Sequence, residues 1–116
     1  MPKYAALIYI PQRLIEAPQS DETRKVSDAY MTYTEDVQKA GILRGGEGLM
    51  PASMATSVRV QDGKTITMDG PFAETKEQQG GFYLFECKDL DEAITWASKI
   101  PDASRGTIEL RPVIQM

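Results

Sequence analysis

Asp69-Gly70-Pro71 constrains this chain more than any other stretch, because it forces a reversal and then delivers the backbone to a strand. Asp bonds readily to nearby main chain, Gly accepts positive φ, and Pro fixes its own φ while steering Gly70 away from the helical region. The chain turns there. Phe72 and the mixed charges Glu74, Lys76 and Glu77 follow, and then Gly80-Gly81, a pair that permits a bulge or the close passage of another strand. Phe82, Leu84 and Glu86 alternate with Tyr83, Phe85 and Cys87, which predicts a strand with two occupied faces.

The remaining segments arrange themselves around that strand. Tyr4–Ile10 is a continuous apolar run closed by Pro11, the pattern of a central strand covered on both sides, and Pro11–Gln19 reads as a loop. A helix is predicted from about Ser20 to Ala40, capped by Ser20 or Asp21 and ended by Gly41. Val26, Ala29, Tyr30, Tyr33, Val37 and Ala40 share one of its faces. Ile42–Leu49 is a glycine-rich strand or extended turn, and Pro51–Met54 is a loop. Thr56–Val60 and Lys64–Met68 flank Asp62-Gly63, a strong hairpin signal. Asp89 and Glu92 form a capping pair for a second helix with Leu90, Ala93, Ile94 and Ala97 inward, Trp96 and Ile100 at its margin, and Pro101 at its end. Thr107–Ile114 is a last strand in which Pro112 suggests an edge or an end.

The order is β-α-β, an inserted hairpin, then β-α-β. It predicts a single domain over 1–116 with a ferredoxin-like α+β antiparallel sheet and both helices on one face. The other face is expected to hold Tyr9 and Tyr83 or Phe85, too apolar for water, so a second copy is expected to cover it.

Asp69-Gly70-Pro71-Phe72, taken with Gly45-Gly46-Glu47-Gly48-Leu49, Thr56–Val60, Asp62–Thr65 and Ile108–Val113, resembles the YCII-related family, in its branch named for the Asp-Gly-Pro-Phe (DGPF) motif. The resemblance implies a dimeric α/β barrel, in which two sheets pack face to face as a homodimer. A two-fold dimer is therefore expected, with the Phe72–Glu77 loop placed to lie across the partner. In the wider group a histidine on the first helix is suspected to act with an aspartate. This chain has Tyr30-Met31-Thr32-Tyr33 in that segment and so departs from the pattern. Some members resemble accessory partners of sigma-factor regulatory systems, which adds a regulatory protein to the expected partners.

The chain contains no histidine and one cysteine. That removes Ser-His-Asp and Cys-His catalysis, histidine metal sites, tetrahedral zinc and any internal disulfide. Cys87 reads as a buried structural thiol, and neither metal nor cofactor is expected. A net charge of −4 and a pI near 4.8, without a dense Lys/Arg run, argue against nucleic acid and anionic membrane as partners. No apolar run approaches the ~20 residues of a membrane helix, so a cytoplasmic location is expected.

The candidate site is a cleft between the sheet and the first helix. Asp69, Glu47, Tyr30 or Tyr33, Arg59, Glu74 and Lys76 are expected to converge there, with Tyr83 from the signature strand. A shielded carboxylate would act as acid or base, a tyrosine would polarise a carbonyl or phenol, and Arg or Lys would hold an anionic substrate. Each residue also has a plain structural reading. Asp69 can simply form the turn, Tyr30 and Tyr33 can pack the helix with wetted hydroxyls, and Glu74, Lys76 and Glu77 can form a solvated or intersubunit charge cluster. Three functions remain open: a homodimer that binds a small organic molecule, with lyase- or isomerase-like carboxylate and tyrosine chemistry; a non-catalytic binding or regulatory module; and a purely structural assembly subunit, which would have a filled interior and no ligand-sized pocket.

Overall fold

The computed structural model describes residues 1–15, 21–73 and 75–115, without the side chains of 21–23. The strands are Lys3–Pro11 (β1), Leu43–Gly48 (β2), Thr56–Gln61 (β3), Lys64–Asp69 (β4), Glu77–Glu86 (β5) and Thr107–Pro112 (β6). The helices are Gln12–Ile15 (α1), Asp21–Lys39 (α2) and Leu90–Ala97 (α3). β1 and β5, the two runs apolar on both sides, occupy the centre of a four-stranded antiparallel sheet ordered β2-β5-β1-β6. This mixed α+β order is consistent with a ferredoxin-like fold. The edge position of β6 accommodates Pro112, which cannot donate to a ladder.

Alternation builds the core. Tyr4, Ala6 and Ile8 of β1 turn inward with Phe85 of β5, and meet Tyr33 and Val37 of α2, Ala93 and Ala97 of α3, and Ile100. Phe85 and Ile100 are almost wholly removed from water, a burial that stabilises the fold by roughly 1.5–3 kcal/mol per side chain. Gly41, at φ +77°, ends α2 in the left-handed conformation. The predicted caps Ser20 and Asp21 lie outside the described residues and side chains. Asp89 caps α3 by accepting from the Glu92 N–H at 2.9 Å, while the Glu92 carboxylate accepts from the Lys88 N–H at 3.0 Å.

Several expectations need correction. Gln12–Ile15 is a helical turn where a loop was expected, too short for any periodicity to announce it. The buried stripe of α2 is narrower than predicted, with Ala29 and Ala40 exposed. On α3 the small residues Ala93 and Ala97 form the row that contacts the sheet, which leaves Leu90 and Ile94 about half exposed and draws Ile100 into the core. Tyr83 and Phe85 do not lie on the open face. They pair with Ala6 and Tyr4, so they face the helices, and the open face holds Ala5, Leu7 and Tyr9 with Phe82 and Leu84. Both sides of β5 are apolar, and only the register decides between them.

β3 and β4 form a separate two-stranded sheet around Asp62 (φ 51°) and Gly63 (φ 75°), the positive pair that a tight hairpin turn requires. Of their residues only Ser57 is partly covered. The molecule is correspondingly flat, 46 × 43 × 19 Å, with a radius of gyration of 16.0 Å, against about 13 Å for a compact domain of this length. Among the described residues no helix is long and apolar enough to cross a membrane.

Candidate functional site

A cavity of about 860 Å³ lies between α2 and the sheet, and its floor is explained by glycine. Residues paired across neighbouring strands share a face, so Gly46 opposite Tyr83 and Gly48 opposite Gly81 all lie on the helix side. Three positions there carry no side chain. At two of them close strand approach demands it: a Cβ on Gly46 would lie 2.7 Å from the Phe82 carbonyl oxygen, and one on Gly81 would lie 2.8 Å from the Glu47 carbonyl oxygen. At Gly48 a Cβ would meet nothing within 4 Å. The empty space above Gly48 is the cavity.

α2 supplies the roof through Tyr30, Thr34 and Gln38, spaced four residues apart and therefore aligned on one face. Ile8, Ile10 and Leu43 give apolar walls. The Tyr30 hydroxyl donates to Asp102 Oδ2 at 2.6 Å. Asp102 sits in the single-turn helix Pro101–Ser104, is 2 % exposed, and receives Arg105 Nε at 2.9 Å and Nη2 at 2.5 Å on its other oxygen. A second hydroxyl pair, Thr34 Oγ1 and Tyr83 Oη, is 2.8 Å apart. Tyr83 is held by stacking on Phe85 and by an edge contact with Tyr33, whose own hydroxyl donates to the Trp96 carbonyl at 2.7 Å.

Burial pushes the phenols of Tyr30, Tyr33 and Tyr83 above the ordinary tyrosine range. At Tyr30 the hydrogen bond to Asp102 and the charge of that carboxylate add to the effect. All three stay protonated at neutral pH. In that form each hydroxyl takes part in a hydrogen bond within the protein.

The YCII-related domain profile matches residues 3–116. The chain belongs to the YCII-related family. It is also 39% identical, over 112 residues, to an uncharacterized protein of Rhizobium meliloti (strain 1021), a match that covers 95% of this chain and 90% of the relative.

In this YCII-related domain the expected site residues separate. Tyr30, Glu47 and Tyr83 line the cavity. Glu47 pairs with Phe82, however, so strand alternation carries its side chain to the opposite face and its main chain forms part of the floor. Tyr33 is buried in the core and is absent from the cavity wall. Asp69 ends β4, Arg59 lies within β3, and Lys76 precedes β5; all three are exposed and none borders the cavity. Glu74 lies outside the described residues. The described bonds that hold the Asp69-Gly70 turn are Gly70 N–H to the Ala55 carbonyl and Ser57 hydroxyl to the Gly70 carbonyl, with no contribution from the Asp69 side chain.

The hydroxyls of Tyr30 and Tyr33 are bonded to protein, where wetted groups were expected. Asp102, the buried carboxylate that matters most to the cavity, was not predicted from sequence. Pro101-Asp102 reads as a helix stop, and the one sequence signal for more was the (i, i+3) spacing of Asp102 and Arg105. Among the described residues no group of three His, Cys, Asp or Glu side chains could hold a metal ion. Cys87 is buried, and burial with the charges of Glu92 and Asp89 pushes its thiol up to about 11.

Proposed function

We propose that this protein is a homodimer that binds a small organic molecule between α2 and the sheet. The observation that carries the reading is the cavity itself: about 860 Å³ lies within the range of small-molecule sites, and its floor carries glycine at three positions, including Gly48, where a side chain would fit. Binding describes the cavity better than acid–base catalysis does. Its tyrosines are held protonated, and the one carboxylate presented to it among the described residues is already bonded by Tyr30 and Arg105.

Dimerisation is supported by two apolar surfaces that remain half-buried or exposed in a single copy. One is the open sheet face of Leu7, Tyr9, Phe82 and Leu84. The other is the hairpin, where Val58 and Val60 are 60% and 69% exposed and share a face, since they pair with Thr67 and Thr65. An isolated two-stranded hairpin is at best marginally stable in water, so a second copy covering it accounts for its persistence. Phe72, 80% exposed and sharing a groove with Met50 and Met54, adds a further exposed apolar patch and accords with the DGPF branch.

The test combines two variants with naphthylmethanol as the probe. Gly48→Leu fills the cavity without a backbone clash, and is expected to abolish probe binding while sedimentation equilibrium still shows a dimer. Val58→Ser with Val60→Ser is expected to weaken the dimer. Unchanged probe affinity in Gly48→Leu refutes the cavity as the binding site, and a wild-type monomer at high concentration refutes the homodimer.

A further inference from the structure

We propose that the molecule taken by this cavity is uncharged and planar, with one hydroxyl or carbonyl group anchored on the Thr34–Tyr83 hydroxyl pair. The proposal rests on the reading of the cavity as a ligand site and specifies its chemistry.

Charge is the first argument. An anion buried there would need a free cation. The one cation in the lining, Arg44, is bound to Glu86 at 3.2 Å and to the carbonyls of Gly41 and Leu43 at 2.9 and 3.0 Å. Residues outside the described set, Glu16 to Ser20, Glu74 and Met116, include no Lys or Arg that could supply another. A cationic ligand fares no better. Among the described residues Asp102 is the carboxylate presented to the cavity, and it is compensated by the Arg105 guanidinium and the Tyr30 hydroxyl. The Glu47 side chain is directed to the opposite face by its pairing with Phe82. A charged ligand would lose its hydration without gaining a free partner among the described residues.

Shape is the second. Main chain at Gly46, Gly48 and Gly81 leaves a stretch of floor without side chains beside Tyr83, and the Tyr30 ring and Ile8, Ile10 and Leu43 supply apolar surface around it. A flat ring system suits that floor.

Hydrogen bonding is the third. In the Thr34–Tyr83 pair one hydroxyl donates to the other, so the second keeps its own O–H for a further acceptor. The pair can also reverse, because either oxygen can be the donor. The Tyr83 ring is fixed by Phe85 and Tyr33, so the anchor is in place before a ligand arrives. Tyr30, whose proton is committed to Asp102, can offer only a lone pair.

The experiment titrates four probes of one shape into the isotope-labelled full chain and follows amide shifts: naphthylmethanol, methylnaphthalene, naphthoate and naphthylmethylammonium. Naphthylmethanol is expected to bind on the order of tenfold more tightly than either charged probe. Thr34→Val with Tyr83→Phe keeps the shape of both side chains, and is expected to weaken naphthylmethanol roughly three- to tenfold while leaving methylnaphthalene unchanged. Naphthoate or naphthylmethylammonium binding as tightly as naphthylmethanol overturns the assignment of an uncharged ligand while the cavity stands as a ligand site. An unaltered naphthylmethanol affinity in the double variant overturns the anchor. Failure of all four probes overturns both this assignment and the ligand-site reading.

Discussion

The Tyr30 hydroxyl donates to Asp102 Oδ2 at 2.6 Å, joining the middle of α2 to the turn after α3 across 72 residues of sequence. The carboxylate is 2 % exposed and its other oxygen is taken by Arg105, so this bond fastens a helix to the far end of the domain inside the cavity wall. Tyr30→Phe leaves one oxygen of a buried carboxylate without its described partner. Urea unfolding is expected to show a loss of about 1.5–3 kcal/mol, the usual contribution of a hydrogen bond to a charged group. A loss below half a kcal/mol would mean that water replaces the phenol.

Alkaline pH should loosen the fold through the tyrosines. The folded-state pKa values of Tyr30, Tyr33 and Tyr83 lie above the unfolded value near 10, so the protonated phenol is the form that folding favours. Their contribution is complete below pH ~10 and is lost as pH rises through the folded values. Denaturant midpoints should stay level from neutral pH to about 9.5 and fall above 10, with tyrosinate absorbance appearing together with unfolding. Tyrosinate formation from all five tyrosines of the chain near pH 10 in a still-folded protein would contradict this.

Cys87 should be inert until the chain opens. With its thiol pushed up to about 11 and its side chain buried, only about one molecule in a thousand would carry a thiolate at pH 8, and that thiolate would be shielded. Reaction with an aromatic disulfide reagent is expected to follow global unfolding, and to accelerate by orders of magnitude in denaturant. Rapid labelling of the folded protein would place the thiol at the surface.

Two glycines should respond very differently to alanine. At Gly106 a Cβ would lie 2.0 Å from the Tyr9 carbonyl oxygen, main chain against main chain, so Gly106→Ala is expected to prevent the native pairing of β6 with β1. At Gly41 a Cβ meets nothing, and the cost is only that of the left-handed conformation at φ +77°, roughly 1–2 kcal/mol. Circular dichroism melts of the pair test this ordering. Equal losses would refute it.

Much of the fold was legible because alternation and punctuation agree. The strand runs, the Asp62-Gly63 turn, the Asp89–Glu92 cap and the Gly41 stop all lie where local chemistry puts them. What could not be read depends on pairing partners distant in sequence. Tyr83 and Phe82 are equally apolar, and only the register with Ala6 and Leu7 decides which of them faces the helices. The same register separates Glu47 from the cavity that its neighbours Gly46 and Gly48 floor. Asp102 carries no local sign of its bond to Tyr30. Asp69, prominent in the sequence, is spatially tied to the hairpin, where it pairs with Thr56, and not to the cavity.

The most direct test of the account is an amide-shift map of the wild-type protein titrated with naphthylmethanol. Saturable shifts at Thr34, Gly46, Gly48, Gly81 and Tyr83 are the predicted result. Shifts confined to the Met50, Met54 and Phe72 surface, or no saturable shift anywhere, would contradict it.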